Sequence, residues 1–382
     1  MTKKINFGAG PAKIPEAVME KAQQEFLNYN GIGISVLEMS HRSGDFTNLL
    51  NSAKKLLMEE MSIPNEFEVL FFQGGGTGQF AAVPLNLRAL SKNTDSPTAD
   101  YAVTGAWSSK AAEEGSKYLN VKKVFDVKKP FTGPPDDSTW ERNPEAAYLY
   151  YCDNETVHGI EYPRAPSTLP GVPLVADISS NFLSRRFDFA DHGIVFGGTQ
   201  KNLGAAGLAV AIVRSDLIGH EHPFTPGVFS YREMHKNNSV YNTPTTYSVY
   251  LTKLVLEWIR DNGGVDGINE MNQRKSDLLY GIIDNSGGFY SNPVEKQYRS
   301  KMNVPFRIDQ GNEILEVEFL KKAVERGMIS LKGHRSVGGI RASIYNSVNL
   351  KEVEILADFM KEFQEKHESG VTVTNGISNG VH

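Results

Sequence analysis

Lys201 and Asp177 are the two side chains whose types and spacing point to a definite chemistry. Lys201 stands in Thr199-Gln-Lys-Asn, between the apolar runs Ile194-Val-Phe and Leu208-Ala-Val-Ala-Ile-Val. Both runs are continuous rather than alternating, the pattern of strands buried on both faces. A lysine drawn out of water loses its proton more readily, and the neutral amine is the form that condenses with an aldehyde to a Schiff base. Glycines 197, 198, 204 and 207 surround it and are expected to let a ligand approach the backbone closely. Alone, a lysine in a glycine-rich loop is an ordinary solvated residue. The second residue changes the weight: Asp177 ends Val172-Pro-Leu-Val-Ala and precedes Ile178-Ser-Ser-Asn. An acid there could equally cap a helix. As a pair, amine and carboxylate match pyridoxal phosphate, whose aldehyde takes a lysine and whose ring nitrogen needs an acid partner to keep its proton and draw electrons.

Those residues need a frame. Val69-Leu-Phe-Phe runs into Gln73-Gly-Gly-Gly-Thr-Gly-Gln and a helix-compatible stretch, an order that turns backbone N–H groups and a helix dipole onto a phosphate. It is neither a P-loop nor G-x-G-x-x-G. Tyr101-Ala-Val-Thr repeats the pattern and leads to Trp107, which could stack on a flat ring or fill the core. Ala146-Ala-Tyr-Leu-Tyr-Tyr returns to strand character, with Thr156 at its exit placed to bond cofactor oxygens. Cys152 reads as an inert buried thiol, and His158 as packed or solvent-facing. Helix-period residues predict helices through Val18, Ala22 and Phe26, stopped by Gly31, and through Leu49 to Met61.

Strands alternating with helices over 65–215 predict an α/β domain with a mainly parallel, right-handed βαβ sheet and the site along one edge. A long helix over 246–262 ends at Gly263-Gly264, read as a hinge. The expected division is a large cofactor-binding domain, 16–264, and a smaller α+β domain, 1–15 with 265–368. Residues 369–382 read as a poorly ordered tail. Two clusters could bind anions. His41 and Arg42 close a loop, and His334, Arg335 and Arg341 fall among four glycines.

Composition narrows the class. The 382 residues are 40% apolar, enough for sizeable cores, and carry a net charge of -5 with a pI near 6.0. No basic block offers a footprint for nucleic acid, and no run of about 18 apolar residues reads as a membrane span, so small-molecule chemistry is expected. One cysteine excludes an intramolecular disulfide and a cysteine-rich metal site, and no metal is expected. Without a leader-like N-terminus, the cytoplasm is the expected compartment.

At family level, the chain from about Asn6 to His367 resembles the phosphoserine aminotransferases. The resemblance rests on Ile34-Ser-Val-Leu-Glu-Met-Ser-His-Arg, Gln73-Gly-Gly-Gly with Gly78-Gln-Phe-Ala-Ala-Val-Pro-Leu-Asn, Asn154-Glu-Thr, Gln200-Lys-Asn, Tyr241-Asn-Thr-Pro and Gly333-His-Arg-Ser-Val-Gly-Gly-Ile-Arg-Ala-Ser. It implies a fold-type I, class V enzyme with pyridoxal phosphate, exchanging an amino group between L-glutamate and 3-phosphohydroxypyruvate. The products are O-phosphoserine and 2-oxoglutarate, and the related phosphohydroxythreonine is a further implied substrate. A homodimer with shared active sites is also implied. By the same resemblance Lys201 is the Schiff-base lysine, Asp177 the ring-nitrogen partner and Trp107 the stacked ring. Gly76, Thr77, Thr156 and Gln200 become cofactor contacts, and Asn242 and Thr243 reach the phosphate from the neighbouring subunit. His41, Arg42, His334, Arg335 and Arg341 form the substrate anion set. Thr77 departs from the arginine or cysteine of other members, Thr199 from an alanine, and Ala9 from a serine or proline. Rival readings are another class V enzyme, such as a cysteine desulfurase or an alanine–glyoxylate aminotransferase, and a non-catalytic pyridoxal-phosphate-binding regulator.

Overall fold

Strand residues that are apolar on every position must be covered on both sides, and here they are. The computed structural model describes residues 4–126 and 129–374, with side chains to residue 368. Its main sheet has seven strands in the order Phe67–Gln73, Leu208–Arg214, His192–Gly198, Leu174–Asp177, Leu149–Cys152, Thr98–Ala102 and Asn120–Lys123. All neighbours are parallel except the two pairs made by Leu208–Arg214. Alternate residues of each strand enter different cores. Phe71, Val210, Val195, Ala176 and Leu149 pack with Leu49, Leu56, Val249 and Leu254 of helices Gly44–Met61 and Thr246–Asp261. Phe72, Ala209, Phe196, Val175 and Tyr150 pack on the other face with Phe80, Ala82, Ala111 and Ala112 of helices Gly75–Leu87 and Ala106–Gly115.

A third core gathers Phe7 with Leu279, Val304, Phe306, Phe319 and Met360. It sits on a three-stranded antiparallel sheet, Tyr290–Ser291, Asn303–Ile308 and Ile340–Ser343. The chain enters it at Gly263, whose φ of 89° is a left-handed conformation that favours glycine. Strand Ile5–Asn6 joins it by pairing with Met328–Ile329.

Two expected boundaries shift. The first helix is Glu16–Gln24 and stops short of Phe26, which is 43% exposed with its ring 6.0 Å from that of Tyr247. The last helix, Leu350–Thr374, runs past the point where the tail is expected to begin; 375–382 lie outside the described residues.

Candidate active site

The edge where the parallel strands end holds the reactive pair. His192–Gly198 and Leu208–Arg214 are antiparallel neighbours, so 199–207 is a hairpin connection with Lys201 near its start. Thr199 closes that loop: its hydroxyl donates to the carbonyls of Ala205 and Leu208. The departure at Thr199 is thus a structural clasp. Of the four glycines expected to open the backbone to a ligand, Gly197 instead makes room for the protein's own turn. A Cβ on Gly197 would lie 2.5 Å from Phe182 Cε2 and 2.6 Å from Ser179 Cα, and one on Gly198 would meet the Gln200 side chain at 2.4 Å. Gly204 and Gly207 face Thr252 and Thr245. At Gly197 it is the protein itself, in the turn after Asp177, that fills the space left by the absent side chain.

Asp177 is the last residue of its strand and begins a turn rather than a helix. Its Oδ1 accepts from Ser179 N at 2.9 Å and Ser179 Oγ at 2.6 Å, and Ser179 Oγ accepts from Gly198 N at 3.1 Å. These bonds tie the acid to the lysine strand. Burial pushes the Asp177 carboxyl above the usual carboxylate range, while the Lys201 charge pulls it down. An acid in that balance keeps its charge only with a cation beside it, such as a protonated ring nitrogen.

Trp107 covers Lys201. Its ring centroid is 5.3 Å from Lys201 Nζ, and its Nε1 donates to Thr156 Oγ1 at 2.8 Å. The indole is oriented by a hydrogen bond rather than merely filling the core. Behind it lies Glu155, which has no role in the sequence-based reading. Glu155 is fully buried and accepts from Trp107 N at 2.9 Å, Ser108 N at 2.8 Å and Ser108 Oγ at 2.5 Å, capping helix Ala106–Gly115 from another strand. Burial pushes its carboxyl up and the Ser108 and Trp107 donors pull it down. Only the fold brings these residues together, so no local pattern announces the cap.

Helix Gly75–Leu87 starts immediately after strand Phe67–Gln73 and its cap Gly74. A Cβ on Gly76 would lie 3.2 Å from Ser179 Oγ and 3.7 Å from Gly198 N, so the helix start abuts the Asp177 turn. The first-turn N–H groups of Gly75, Gly76 and Thr77 have no intrahelical acceptors and suit a phosphate. Thr77 is exposed there. Gln200 takes a bond from Ala12 N on its carbonyl, 2.9 Å, and a Cβ on Gly10 would lie within 3.9 Å of both Gln200 Cγ and Lys201 Cγ. The N-terminal segment therefore crosses the lysine, and Tyr345 Oη holds it by donating to Ala9 O at 2.8 Å.

The cations divide into two groups. Arg341 Nη1 donates to Thr156 O at 3.0 Å, which brings the antiparallel sheet to the Trp107 side of the site. His334 is pushed below its ordinary value by burial and then by the charges of Arg341, Arg335 and Lys110, so these four stand close together. Lys110 is a further missed residue, its Nζ 4.8 Å from the Trp107 ring centroid; helical i,i+3 spacing from Trp107 is the signal that could have found it. The glycines of 333–339 fold that loop on itself, with Gly333 N bonded to Gly339 O at 2.8 Å. His41 and Arg42 stand apart. Their loop is tied to helix Thr246–Asp261 through Thr246 Oγ1 and Val36 O, 3.3 Å, and among the described residues no hydrogen bond, ion pair or charge interaction joins them to His334, Arg335 or Arg341. Asn242 and Thr243 lie at the Phe67–Gln73 margin, where Gln73 Nε2 donates to Thr243 O at 2.5 Å.

Two other residues read as expected. Burial pushes the Cys152 thiol up, and His158 packs on Phe131, ring centroids 4.5 Å apart, with burial lowering it to about 4.

This arrangement has a family. The family model described as aminotransferase class-V matches residues 5–356. The chain belongs to the class V aminotransferases. Among class V relatives, it is 60% identical to a probable phosphoserine aminotransferase of Caenorhabditis elegans, over 96% of this chain and 98% of that protein. It is 50% identical to the phosphoserine aminotransferase of Drosophila melanogaster, over 96% and 100%. The solved phosphoserine aminotransferase of Bacillus circulans subsp. alkalophilus superposes with a TM-score of 0.91 at 40% identity, covering 96% of this chain and all (100%) of that one. A pyridoxal-phosphate-bound phosphoserine aminotransferase of Trichomonas vaginalis gives 0.89 at 36%, covering 94% and 100%. The fold is that of these class V enzymes.

Proposed function

We infer that this chain is a pyridoxal-phosphate-dependent phosphoserine aminotransferase, moving an amino group reversibly between L-glutamate and 3-phosphohydroxypyruvate. The observation that carries the reading is one edge of one sheet bearing Lys201, Asp177 and Trp107 in front of the Arg341, His334, Arg335 and Lys110 group. The buried acid, the oriented indole and the helix start fit the cofactor's ring nitrogen, ring face and phosphate. When bound, pyridoxal phosphate supplies an electron sink for a substrate Cα that loses its proton. Lys201 Nζ would hold the cofactor aldehyde and, as a free amine, would take the proton from the substrate Cα. Asp177, its Oδ1 held by Ser179, would keep the ring nitrogen protonated.

Arg341 takes the substrate α-carboxylate, the one group common to both substrates. The distal end is γ-carboxylate in one substrate and phosphate in the other, and His334, Arg335 and Lys110 supply charge for both. Phosphohydroxythreonine keeps the same distal phosphate and falls within this substrate class. A desulfurase would need a mobile nucleophilic thiol, and Cys152 is buried with its thiol pushed up.

The working unit we propose is a homodimer in which the partner brings His41, Arg42, Asn242 and Thr243 to the site. Exposed apolar residues support it. Phe26, Leu27, Ile34 and Leu37 are uncovered, as is Tyr241, and the two segments meet through the Phe26–Tyr247 and Val36–Thr246 contacts. Such a surface is what an obligate interface buries. The third core with its sheet is read as the small domain, 1–15 with 265–368. Among the described residues no helix is long and apolar enough to cross a membrane, and we place the enzyme in the cytoplasm, where the lone buried Cys152 stays reduced.

A coupled assay with O-phosphoserine and 2-oxoglutarate, with serine and alanine as controls, tests the function. Turnover of phosphoserine alone is expected; equal turnover of serine refutes the substrate assignment. Borohydride reduction followed by peptide mapping is expected to label Lys201, and a label on any other lysine refutes the centre.

A further inference from the structure

Strand Ile340–Ser343, which carries Arg341, runs into a buried turn at 344–348, and Asn346 within it is only 5% exposed. Its backbone N donates to Asn202 Oδ1 at 3.0 Å. Its Nδ2 donates to the carbonyls of Phe182 and Leu183, 3.2 Å each, and its Oδ1 accepts from Asn272 Nδ2 at 2.9 Å. Asn202 follows Lys201 directly and donates through Nδ2 to Ser180 O at 2.6 Å. Residues 178–184 are the turn that leaves Asp177. Within it the buried Leu183 holds a φ of 55°, a left-handed conformation that is costly for a side chain and persists only where surroundings enforce it. Here the enforcement is visible: Asn346 holds the Leu183 carbonyl, and Asn272 Nδ2 holds that of Ser184 at 3.1 Å. The turn that bears Asn346 is rigid in its own right. Lys275 Nζ donates to the carbonyls of Ile344, Tyr345 and Val348 at 2.9, 2.8 and 2.8 Å, one acceptor for each ammonium N–H.

We propose that Asn346 is a positioning residue for the transamination, setting the Lys201 loop, the Asp177 turn and the Arg341 strand in a single register. The proposal rests on the reading of Lys201 and Asp177 as the reactive pair. Only an amide of this length gives two donated bonds and one accepted bond at once; an aspartate would lose the donors and bury a charge, and an alanine would lose all three. Without the side-chain clamp, the strained Leu183 turn relaxes, and the 344–348 turn, whose backbone N–H at Asn346 still holds Asn202 Oδ1, shifts and carries with it the residue next to Lys201. The amine then sits out of register with the ring that Asp177 holds.

The test uses holoenzyme carrying Asn346→Ala, Asn272→Ala or Ser347→Ala. Ser347 is the control: its Oγ donates to Lys13 O at 2.5 Å from the same turn but does not touch the Lys201 loop. Asn346→Ala is expected to lower kcat roughly ten- to a hundredfold, the worth of one or two hydrogen bonds in the transition state. It should also move the pH midpoint of the lysine-bound cofactor's visible band. Asn272→Ala should act in the same direction and less, while Ser347→Ala lowers Tm and leaves kcat and the midpoint alone. If Asn346→Ala lowers only Tm, Asn346 is merely structural and the proposal is overturned; if that variant does not fold, an unmoved midpoint in Asn272→Ala overturns it instead. Borohydride labelling of a lysine other than Lys201 in the parent overturns the underlying reading as well, whereas Lys201 labelling with an unmoved midpoint overturns the positioning role alone.

Discussion

Asp177→Asn separates charge from shape at the ring-nitrogen position. The amide can keep its oxygen on Ser179 N and Oγ, now 2.9 and 2.6 Å from Oδ1, so the turn and its link to Gly198 survive. What disappears is a buried negative charge, held up in pKa by desolvation and stabilised by Lys201. Removing one member of a buried ion pair costs ~3–5 kcal/mol, which as a barrier is roughly two hundred- to five thousandfold in rate. Ser179→Ala makes the opposite cut, keeping the charge and the bond from Ser179 N and losing only the one that Ser179 Oγ donates to Oδ1. Hydrogen bonds to a charged group are worth ~1.5–3 kcal/mol, so that loss is roughly ten- to a hundred-and-fiftyfold. Stopped-flow mixing of each holoenzyme with glutamate, followed by the decay of its visible absorbance, reads the half-reaction free of product release. The charge argument fails if Asp177→Asn stays within about fivefold of the parent, or if Ser179→Ala is the more damaging change.

Mixing an inactive Lys201→Ala chain with an inactive Asn242→Ala/Thr243→Ala chain should restore part of the activity, because one site of the heterodimer is assembled from intact residues; no recovery after proven subunit exchange puts the 241–244 loop in its own chain's site. Arg335→Ala or His334→Ala should raise KM more for phosphoserine than for glutamate, since the phosphate carries about two charges and the γ-carboxylate one, whereas Arg341→Ala should harm both alike. Equal losses in steady-state kinetics across all three variants would mean the group does not read the phosphate. His192 is buried with Nε2 at 2.9 Å from Tyr151 Oη and Nδ1 at 2.9 Å from Ala190 O, and burial lowers it from 6.5 to about 4. The unfolded chain therefore binds this proton at higher pH than the folded one, so the stability is complete above about pH 6.5 and is lost as pH falls towards about 4, by roughly 3 kcal/mol. Urea midpoints of the parent and His192→Phe across that window check it: an identical pH slope in both would show that His192 contributes none of the loss.

Local order along the chain was enough for a good part of this protein. Continuous apolar runs such as Leu208-Ala-Val-Ala-Ile-Val can be satisfied only by covering both faces, so a sheet buried on both sides follows from residue type, although this strand runs antiparallel to its neighbours, and a strand–acid–strand–lysine order places Asp177 and Lys201 at strand ends. The glycine run at 74–76 announces a helix start because a strand turns directly into a helix there through φ of 93° at Gly74 and 61° at Gly75, which side chains rarely adopt. Contacts between distant segments had no such signature. Glu155 under Trp107, Ser179 between Asp177 and Gly198, and Asn346 between Asn202 and Leu183 bridge residues that no periodicity relates, and their value lies in burial, which only the finished packing creates. Gly197 beside Lys201 was misread for this reason. An absent side chain shows that something comes close, but whether that neighbour is a ligand or, as at Gly197, the protein's own Phe182 and Ser179 is settled by the tertiary structure. The cations followed the same rule: charge and glycine spacing marked both clusters, and the fold alone put Arg341 on Thr156 while leaving His41 and Arg42 on a different margin of the chain.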